Sequence, residues 1–344
     1  MHMADALISP AVGAAMCAVS AGLIGYSSKK VKDAADDRKV PLMGVLGAFI
    51  FAAQMINFSI PATGSSGHLG GGMILSILLG PYAAFLVMAS VLVVQALFFG
   101  DGGLLALGCN IFNLGFFPCF IVFPLIYRKI VGDAPTKEKI VTGSLIAAIV
   151  GLQLGAFGVV LETVFSGISE LPFSAFVLLM QPIHLAIGIV EGLVTAAVVM
   201  FVRNARPEIL NSAVRSKPIG QISITKVLAG LAIAAVIAGG ALSWFASANP
   251  DGLEWAMFKT AGVEELESED GIHQSLSALQ KKTAFLPDYG FRQSEPQAAP
   301  EAASEPAWPA VDTGTSLSGI VGGGLTLLVI VLIGLFLRRR KVAH

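Results

Sequence analysis

Long apolar stretches separated by short polar segments dominate this chain. The runs at 6–26, 40–58, 81–99, 109–127, 140–165, 173–202, 222–245 and 317–337 are each near the ~20 residues that a helix needs to cross a bilayer. Basic residues fall unevenly between them. Segments 28–40, 127–139, 203–217 and 338–341 hold 5, 4, 4 and 4 of the 22 Lys and Arg, whereas 59–72, 100–108 and 163–172 hold none. The positive-inside tendency places the first set in the cytoplasm. Segments 28–40 and 127–139 then require an even number of crossings between them, and three obvious runs separate them. A short extra helix over about Gly70–Leu79, turning at the Gly80-Pro81 signal of "LLGPY", restores the parity. It is too short to face lipid alone and is expected to pack inside the protein.

The pattern therefore predicts an all-α polytopic membrane protein. A bundle of about seven helices fills residues 1–216, with the first residue outside, and an auxiliary module with two further transmembrane helices fills 217–344. The "RRRK" at 338–341 sets the C-terminus in the cytoplasm. Between the last two helices, segment 246–316 holds 12 acidic and 4 basic residues and the run "SEPQAAPEAASEPAWPA". It reads as an extracytoplasmic, partly disordered loop. Composition agrees, with 55% hydrophobic residues, 13% charged, a net charge of -1 and a mean hydropathy of +0.77. A multi-pass protein of the cell (inner or plasma) membrane follows, with lipid and not nucleic acid as its surroundings. Cys17, Cys109 and Cys119 lie in apolar stretches without metal-finger spacing and read as small buried side chains.

The chain opens "MHMADALISP", with no Lys or Arg before Lys29 and no convincing cleavage site after Ser20. It does not read as a secretory leader, so Met1 is expected to be the mature terminus. His2 then becomes a candidate ligand. The terminal amine, the amide nitrogen of residue 2 and a His2 ring nitrogen close adjacent five- and six-membered chelate rings, giving three nitrogens in one plane. Such a set suits Ni(II) or Cu(II), with Co(II) less clearly dictated. For a fourth donor, five histidines are available: His2, His68, His184, His273 and His344. By the predicted topology His68 shares the outer side with the chain start, in "PATGSSGHLGGG", whose glycines let the backbone fold tightly. Either histidine alone reads as incidental; the pair is stronger.

Other polar residues have weaker assignments. His184 and Glu191 lie two turns apart on one helix face, and a Glu–His pair tying helices together is preferred over a second ion site. Glu162 and Asp101 read as solvated helix-end residues. Asn110 and Asn113, Gln54 and Asn57, and Ser66 beside the Gly-rich loop are candidates for hydrogen bonds that support metal-bound histidines. Ordinary interhelical polar contacts are the plain alternative. No Gly-Lys dipeptide occurs, so no phosphate-cradling loop is present, H-E-x-x-H is absent, and "GSSGH" is not a nucleophile elbow. The chain is therefore not itself an ATPase of the usual kind, and hydrolysis has little support in these residues. A membrane metalloenzyme using His184 and Glu191, or a passive divalent-cation channel, are the competing classes.

"MHMADALISP", "SSGHLGGGMILSILLGPYAAFLVMASVLVVQALFFGDGGLLALGCNIFN" and "PDGLEWA" resemble the nickel/cobalt substrate-capture components of energy-coupling-factor transporters, the CbiM/NikM family. The last motif, at Pro250–Ala256, resembles the small auxiliary component of such systems, fused here to the capture protein. The resemblance implies that 1–216 is the metal-capture module and that Met1, His2 and His68 hold the ion. It implies import of Ni(II), with Co(II) next, as transported substrate with no cofactor. A transmembrane coupling subunit and ATPase subunits are the implied partners. Members commonly begin Met-His-Ile-Pro-Asp-Gly; this chain has Met3-Ala4-Asp5-Ala6 and keeps the chelating dipeptide.

Overall fold

The computed structural model describes residues 2–34, 36, 38–132, 135–169, 171–215, 218–220, 222–262, 271–292 and 308–337. In chain order the helices are α1 Pro10–Ala34 and α2 Lys39–Gln54, then α3 Gly72–Leu79, α4 Pro81–Phe99 and α5 Leu107–Val131. They continue with α6 Lys137–Ser166, α7 Phe173–Ala205, α8 Pro207–Arg215 and α9 Thr225–Gly240. The last are α10 Gly252–Ala261, α11 Gly271–Thr283 and α12 Thr313–Leu337. Six of these, α1, α4, α5, α6, α7 and α12, are long and apolar enough to cross a membrane; α2 and α9 are apolar but shorter. Among the described residues the architecture departs from all-α at one place. Strands β1 Phe58–Ile60 and β2 Ser65–Gly67 form an antiparallel hairpin pairing Ser59 with Ser66, where the sequence reads only as a Gly-rich turn.

The extra short helix is α3, and all eight of its residues are buried. It is entered through Gly71 and left through Gly80, both at a φ of 78°, a left-handed conformation that glycine adopts without a Cβ penalty. Pro81 then starts α4, where its missing N–H costs no helical bond. Protein surrounds α3 on all sides, which satisfies the rule that so short an element cannot meet lipid. Beside it, α4 is apolar all round and mostly buried, the pattern of a central helix. By contrast α12 leaves Leu328, Leu332, Leu335 and Phe336 exposed, as a lipid-facing helix does.

Small residues set the closest approaches. A Cβ added at Gly188 would stand 2.8 Å from Ile149 Cα, and one at Gly192 would stand 2.6 Å from Leu145 Cα. This i, i+4 glycine spacing lets the backbones of α6 and α7 come together. The same device joins α9 to α12, where a Cβ on Gly239 would be 2.9 Å from Gly319 Cα. Within α5, Pro118 and Pro124 lie inside the helical run, and the winding widens to the π form over Phe112–Tyr127. A wider turn accommodates rings that clash with a regular α-helix.

Segment 246–316, expected to be partly disordered, carries helices α10 and α11 and a turn at Pro287–Tyr289, all packed against the N-terminal bundle. Most of "SEPQAAPEAASEPAWPA" and all of "RRRK" lie outside the described residues. The basic connection 203–217 contains α8, whose Ile209, Leu210 and Ala213 are buried; a nine-residue amphipathic turn between charged residues gave too short a period to be read. Replacing Gly319 by Val should force α9 and α12 apart, costing about 1–3 kcal/mol by overpacking. A lowered thermal midpoint of the purified protein in detergent checks it.

Candidate metal centre

The first residues form an arm laid into the helical body. Met3, Leu7 and Ile8 are buried. The Asn110 side chain accepts from Met3 N at 2.8 Å and donates to Met3 O at 3.2 Å, and Gly103 N donates to the same carbonyl at 2.9 Å. Asp5 Oδ1 accepts from Leu105 N at 2.7 Å and Ala106 N at 3.0 Å. His273 of α11 donates from Nε2 to the carbonyls of Asp5 and Ile8, at 3.1 and 2.9 Å; two carbonyl acceptors fix the proton on that nitrogen. Buried backbone groups need partners, and these contacts supply them while fixing the register that delivers His2.

The arm brings His2 onto His68. Their rings stack with centroids 5.0 Å apart and planes 17° from parallel. His2 Nδ1 lies 2.9 Å from Asp101 Oδ1, and the Tyr289 hydroxyl donates to Asp101 Oδ2. His2 Nε2 is buried without a partner. Burial alone would raise the Asp101 carboxyl, but the charge and hydrogen bond of His2, with the bond from Tyr289, hold it at about 2. His68 Nδ1–H donates to Leu69 O at 3.0 Å, which leaves Nε2 as the lone-pair nitrogen. Withdrawal from water, reinforced by His2, pushes its pKa down to about 3, so the ring is neutral and ready to ligate at neutral pH.

Glu191 positions the loop that carries His68. Its carboxylate accepts from Gly70 N at 2.7 Å and Gly71 N at 3.2 Å, and a Cβ on Gly70 would sit 3.1 Å from Oε2. Glycine is what lets the backbone come this close. Gln54 closes the far side, donating to Gly70 O at 2.8 Å and accepting from Gln95 Nε2 at 2.9 Å.

The motif "PDGLEW" covers the same loop. Ser66 N donates to Pro250 O at 2.8 Å, and Ser66 Oγ donates to Asn249 O at 2.8 Å. Trp255 Nε1 donates to Thr63 O at 3.0 Å. Asp251 caps α10 through Leu253 N and Glu254 N, and the Glu254 side chain accepts from Asp251 N at 2.9 Å. This reciprocal capping box explains why Asp and Glu stand three apart.

Several assignments are revised by these partners. His184 bonds Met180 O at 2.8 Å and Glu191 bonds the Gly70-Gly71 backbone, so the expected Glu–His pair is not formed. Glu162 is not a solvated helix-end residue; it is buried and accepts from Asn113 Nδ2 at 2.6 Å. Asp101 is likewise engaged, by His2 and Tyr289. Asn110 serves the Met3 backbone, Asn113 serves Glu162, Gln54 and Ser66 serve the His68 loop, and Asn57 O accepts from Ser247 N at 2.7 Å. Among these, none reaches a histidine ring. Among the described residues no group of three or more His, Cys, Asp and Glu is placed to hold an ion; Met1 lies outside the described residues, and the structure brings together His2 and His68. Sequence reasoning missed Asp101, Tyr289 and His273. The signal for Asp101 was an acid in "FGDGG", nine residues before Asn110; nothing local marks the other two.

The family description "cobalt uptake substrate-specific transmembrane region", CbiM, matches residues 2–209. The chain belongs to the CbiM family. A PDGLE domain also matches this CbiM-family chain, at residues 225–339. A putative fused nickel transport protein NikMN of Archaeoglobus fulgidus is 30% identical over 95% of this chain and 96% of its own length. A fused nickel transport protein NikMN of Rhodobacter capsulatus is 30% identical over 79% of this chain and 78% of its own. A cobalt transport protein CbiM of Geobacter sulfurreducens is 26% identical over 61% of each. Among solved structures, a truncated transition metal transporter superposes with a TM-score of 0.53 at 31% identity, covering 60% of this chain and 99% of that one. The protein is thus a multi-pass membrane component of transition-metal transport and not an enzyme, and the metal is its transported substrate.

Two substitutions test how the site is held. Asn110→Ala should free the arm, losing about 1 kcal/mol for each hydrogen bond, and speed hydrogen exchange at the Met3 amide. Glu191→Leu should leave the Gly70 and Gly71 amides without their acceptor and loosen the His68 loop, seen as faster exchange at those two amides while α9 and α12 are unaffected.

Proposed function

We propose that this chain is the substrate-binding membrane component of an ATP-driven energy-coupling-factor importer for Ni(II), with Co(II) the next substrate. The Met1 amine, the residue-2 amide nitrogen, the His2 ring and His68 are the four nitrogen donors. The observation that carries this reading is the stacked contact of His2 and His68, two residues 66 positions apart in the chain. One sits on an arm anchored through Asn110 and Asp5, the other on a loop anchored through Glu191. Nickel is placed first because four nitrogens in a plane suit Ni(II) and because relatives named for nickel transport align across both modules.

In this reading the chain start and the His68 loop face outward, residues 1–216 are the capture module, and 217–344 are the auxiliary module. A chelate that includes the residue-2 amide closes its six-membered ring through His2 Nδ1, the nitrogen that faces Asp101. The ring therefore exchanges Asp101 for the ion, and the two arrangements exclude one another. Capture is an exchange of partners at His2, followed by delivery to the cytoplasm through the coupling and ATPase subunits. The hydrolase alternative loses its His184–Glu191 pair, since Glu191 is bonded to the Gly70 and Gly71 amides and His184 Nδ1 to Met180 O.

The test is metal content of the full chain with an unmodified N-terminus, beside a version carrying an N-terminal extension. About one Ni(II) per chain is expected in the first and none in the second, with His2→Ala and His68→Ala each lowering affinity by at least about tenfold. Retention of Ni(II) by the extended chain overturns the proposed ligand set. Accumulation of metal in cells without ATPase subunits overturns the importer reading.

A further inference from the structure

Helix α11, Gly271–Thr283, carries different chemistry on different sides. Its underside is polar and engaged. His273 Nε2 donates to the carbonyls of Asp5 and Ile8, and Gln280, seven residues on, donates from Nε2 to Ala96 O and Gly102 O. One flank is apolar: Ile272 and Leu279, also seven apart, are 53% and 48% exposed. Residues at this spacing return to one face after two turns, and by the same periodicity the exposed Lys281 lies on the opposite flank. Lys282, three residues after Leu279, is exposed beside the apolar flank, where a long side chain lays its stem on lipid and keeps its charge in water.

Two large aliphatic side chains left in water along one flank are unfavourable, and the position of the helix says what covers them. Its His273 end rests on Ile8, two residues before Pro10 opens α1; its Gln280 end rests on Ala96 and Gly102, on either side of Phe99, where α4 closes. Both are helices long and apolar enough to cross a membrane, and α1 turns Val19 and Tyr26 outward. Helix α11 therefore lies at the level where the apolar spans begin. The same end of the bundle carries Phe245 and Trp308, 46% and 70% exposed, whose rings meet edge to face at 5.6 Å beyond α9 and before α12. The turn after α11 reaches that end, since a Cβ on Gly314 of α12 would stand 3.2 Å from Gly290 Cα. An exposed Trp at the ends of apolar helices marks a membrane–water interface. The flanking stretches of chain offer no apolar partner: 263–270 reads "VEELESED" and 293–307 reads "QSEPQAAPEAASEPA".

We propose that α11 is an interfacial helix, with Ile272 and Leu279 inserted into the phospholipid surface at the boundary between headgroups and acyl chains, while His273 and Gln280 hold its underside on the bundle. The partner is the apolar part of one lipid leaflet. Flank and underside belong to one helix, so lipid contact at Ile272 seats the adjoining His273 on the arm. The segment that covers the chain start is thereby held by the membrane as well as by the protein. The inference uses neither a set of metal ligands nor the side of the membrane that this end faces.

The experiment uses the full chain in nanodiscs of phosphatidylcholine and phosphatidylglycerol, with benzoylphenylalanine replacing Ile272, Leu279 or Lys281 in turn, irradiated and read by mass spectrometry. Phospholipid adducts at positions 272 and 279 are expected to be at least about fivefold more abundant than at 281. Equal lipid labelling at the three positions overturns the proposal. So does cross-linking of 272 and 279 to another stretch of this chain or to a second copy, or the absence of any adduct. If a variant fails to fold, the unsubstituted chain decides, in nanodiscs containing a phosphatidylcholine with a diazirine near the ester end of its acyl chain. Label on Ile272 and Leu279 supports the interfacial helix, and label confined to the membrane-crossing helices overturns it.

Discussion

The structure depends on one constraint: a stretch of non-helical backbone lies inside an apolar helical body, and each of its polar groups must be answered there. A helix satisfies its own amides and carbonyls, but an arm and a Gly-rich loop do not. Asn110 provides a donor and an acceptor to the two backbone groups of Met3, Asp5 provides an acceptor to the start of α5, and Glu191 provides two acceptor sites to Gly70 and Gly71. Of these side chains, Asn110 and Glu191 were candidates for service to a metal or to helix packing. Their actual use is to make irregular backbone tolerable, and the position of the two histidines follows from it.

The same constraint acts where the described parts of segment 246–316 meet the rest of the chain. Hydrogen bonds cross from these parts to several backbone groups of the N-terminal bundle. Gln280 donates to the carbonyls of Ala96 and Gly102 at 2.9 and 2.7 Å, His273 covers the arm, and residues 247–250 run along the hairpin. Tyr289 stacks on Phe99 with centroids 5.2 Å apart while its hydroxyl holds Asp101. Of the 12 acidic residues of segment 246–316, Asp251, Glu254, Asp288 and Asp312 lie among the described residues. Asp251 and Glu254 form the local cap of α10, and the apolar residues Leu253 and Met257 of that helix are buried.

How much was legible follows from the range of each interaction. Helical spans were readable because burial in lipid or protein imposes apolarity over about 20 consecutive residues, and α3 was readable because charge parity demanded it and Gly80-Pro81 marked its end. The candidate ligands His2 and His68 were readable from chelate chemistry and shared sidedness. What failed was pairing across distance. Periodicity put His184 and Glu191 on one face of α7, yet each found a backbone partner four residues away or on another element, which spacing within a helix cannot reveal. Tyr289 and Asp101 are 188 positions apart, and no pattern local to either announces the contact. Asp101 reads as solvated because it stands at a helix end; here the His2 ring and the Tyr289 hydroxyl engage its carboxylate.

Charge gives the final step. A divalent ion in a secluded site is tolerable only if opposite charge is already nearby. Under the proposed chelate, the amide nitrogen contributes one negative charge on losing its proton, which leaves one positive charge to balance. Asp101, held ionised by His2 and Tyr289, is the carboxylate next to the His2 ring. The same group therefore has a partner in both arrangements: His2 Nδ1 without the ion, and the residual charge of the complex with it. Such a site avoids burying an unpaired charge at either end of the exchange. Under that same chelate, Tyr289, whose hydroxyl donates to Asp101 Oδ2, keeps a hydrogen bond to the carboxylate while its other partner changes.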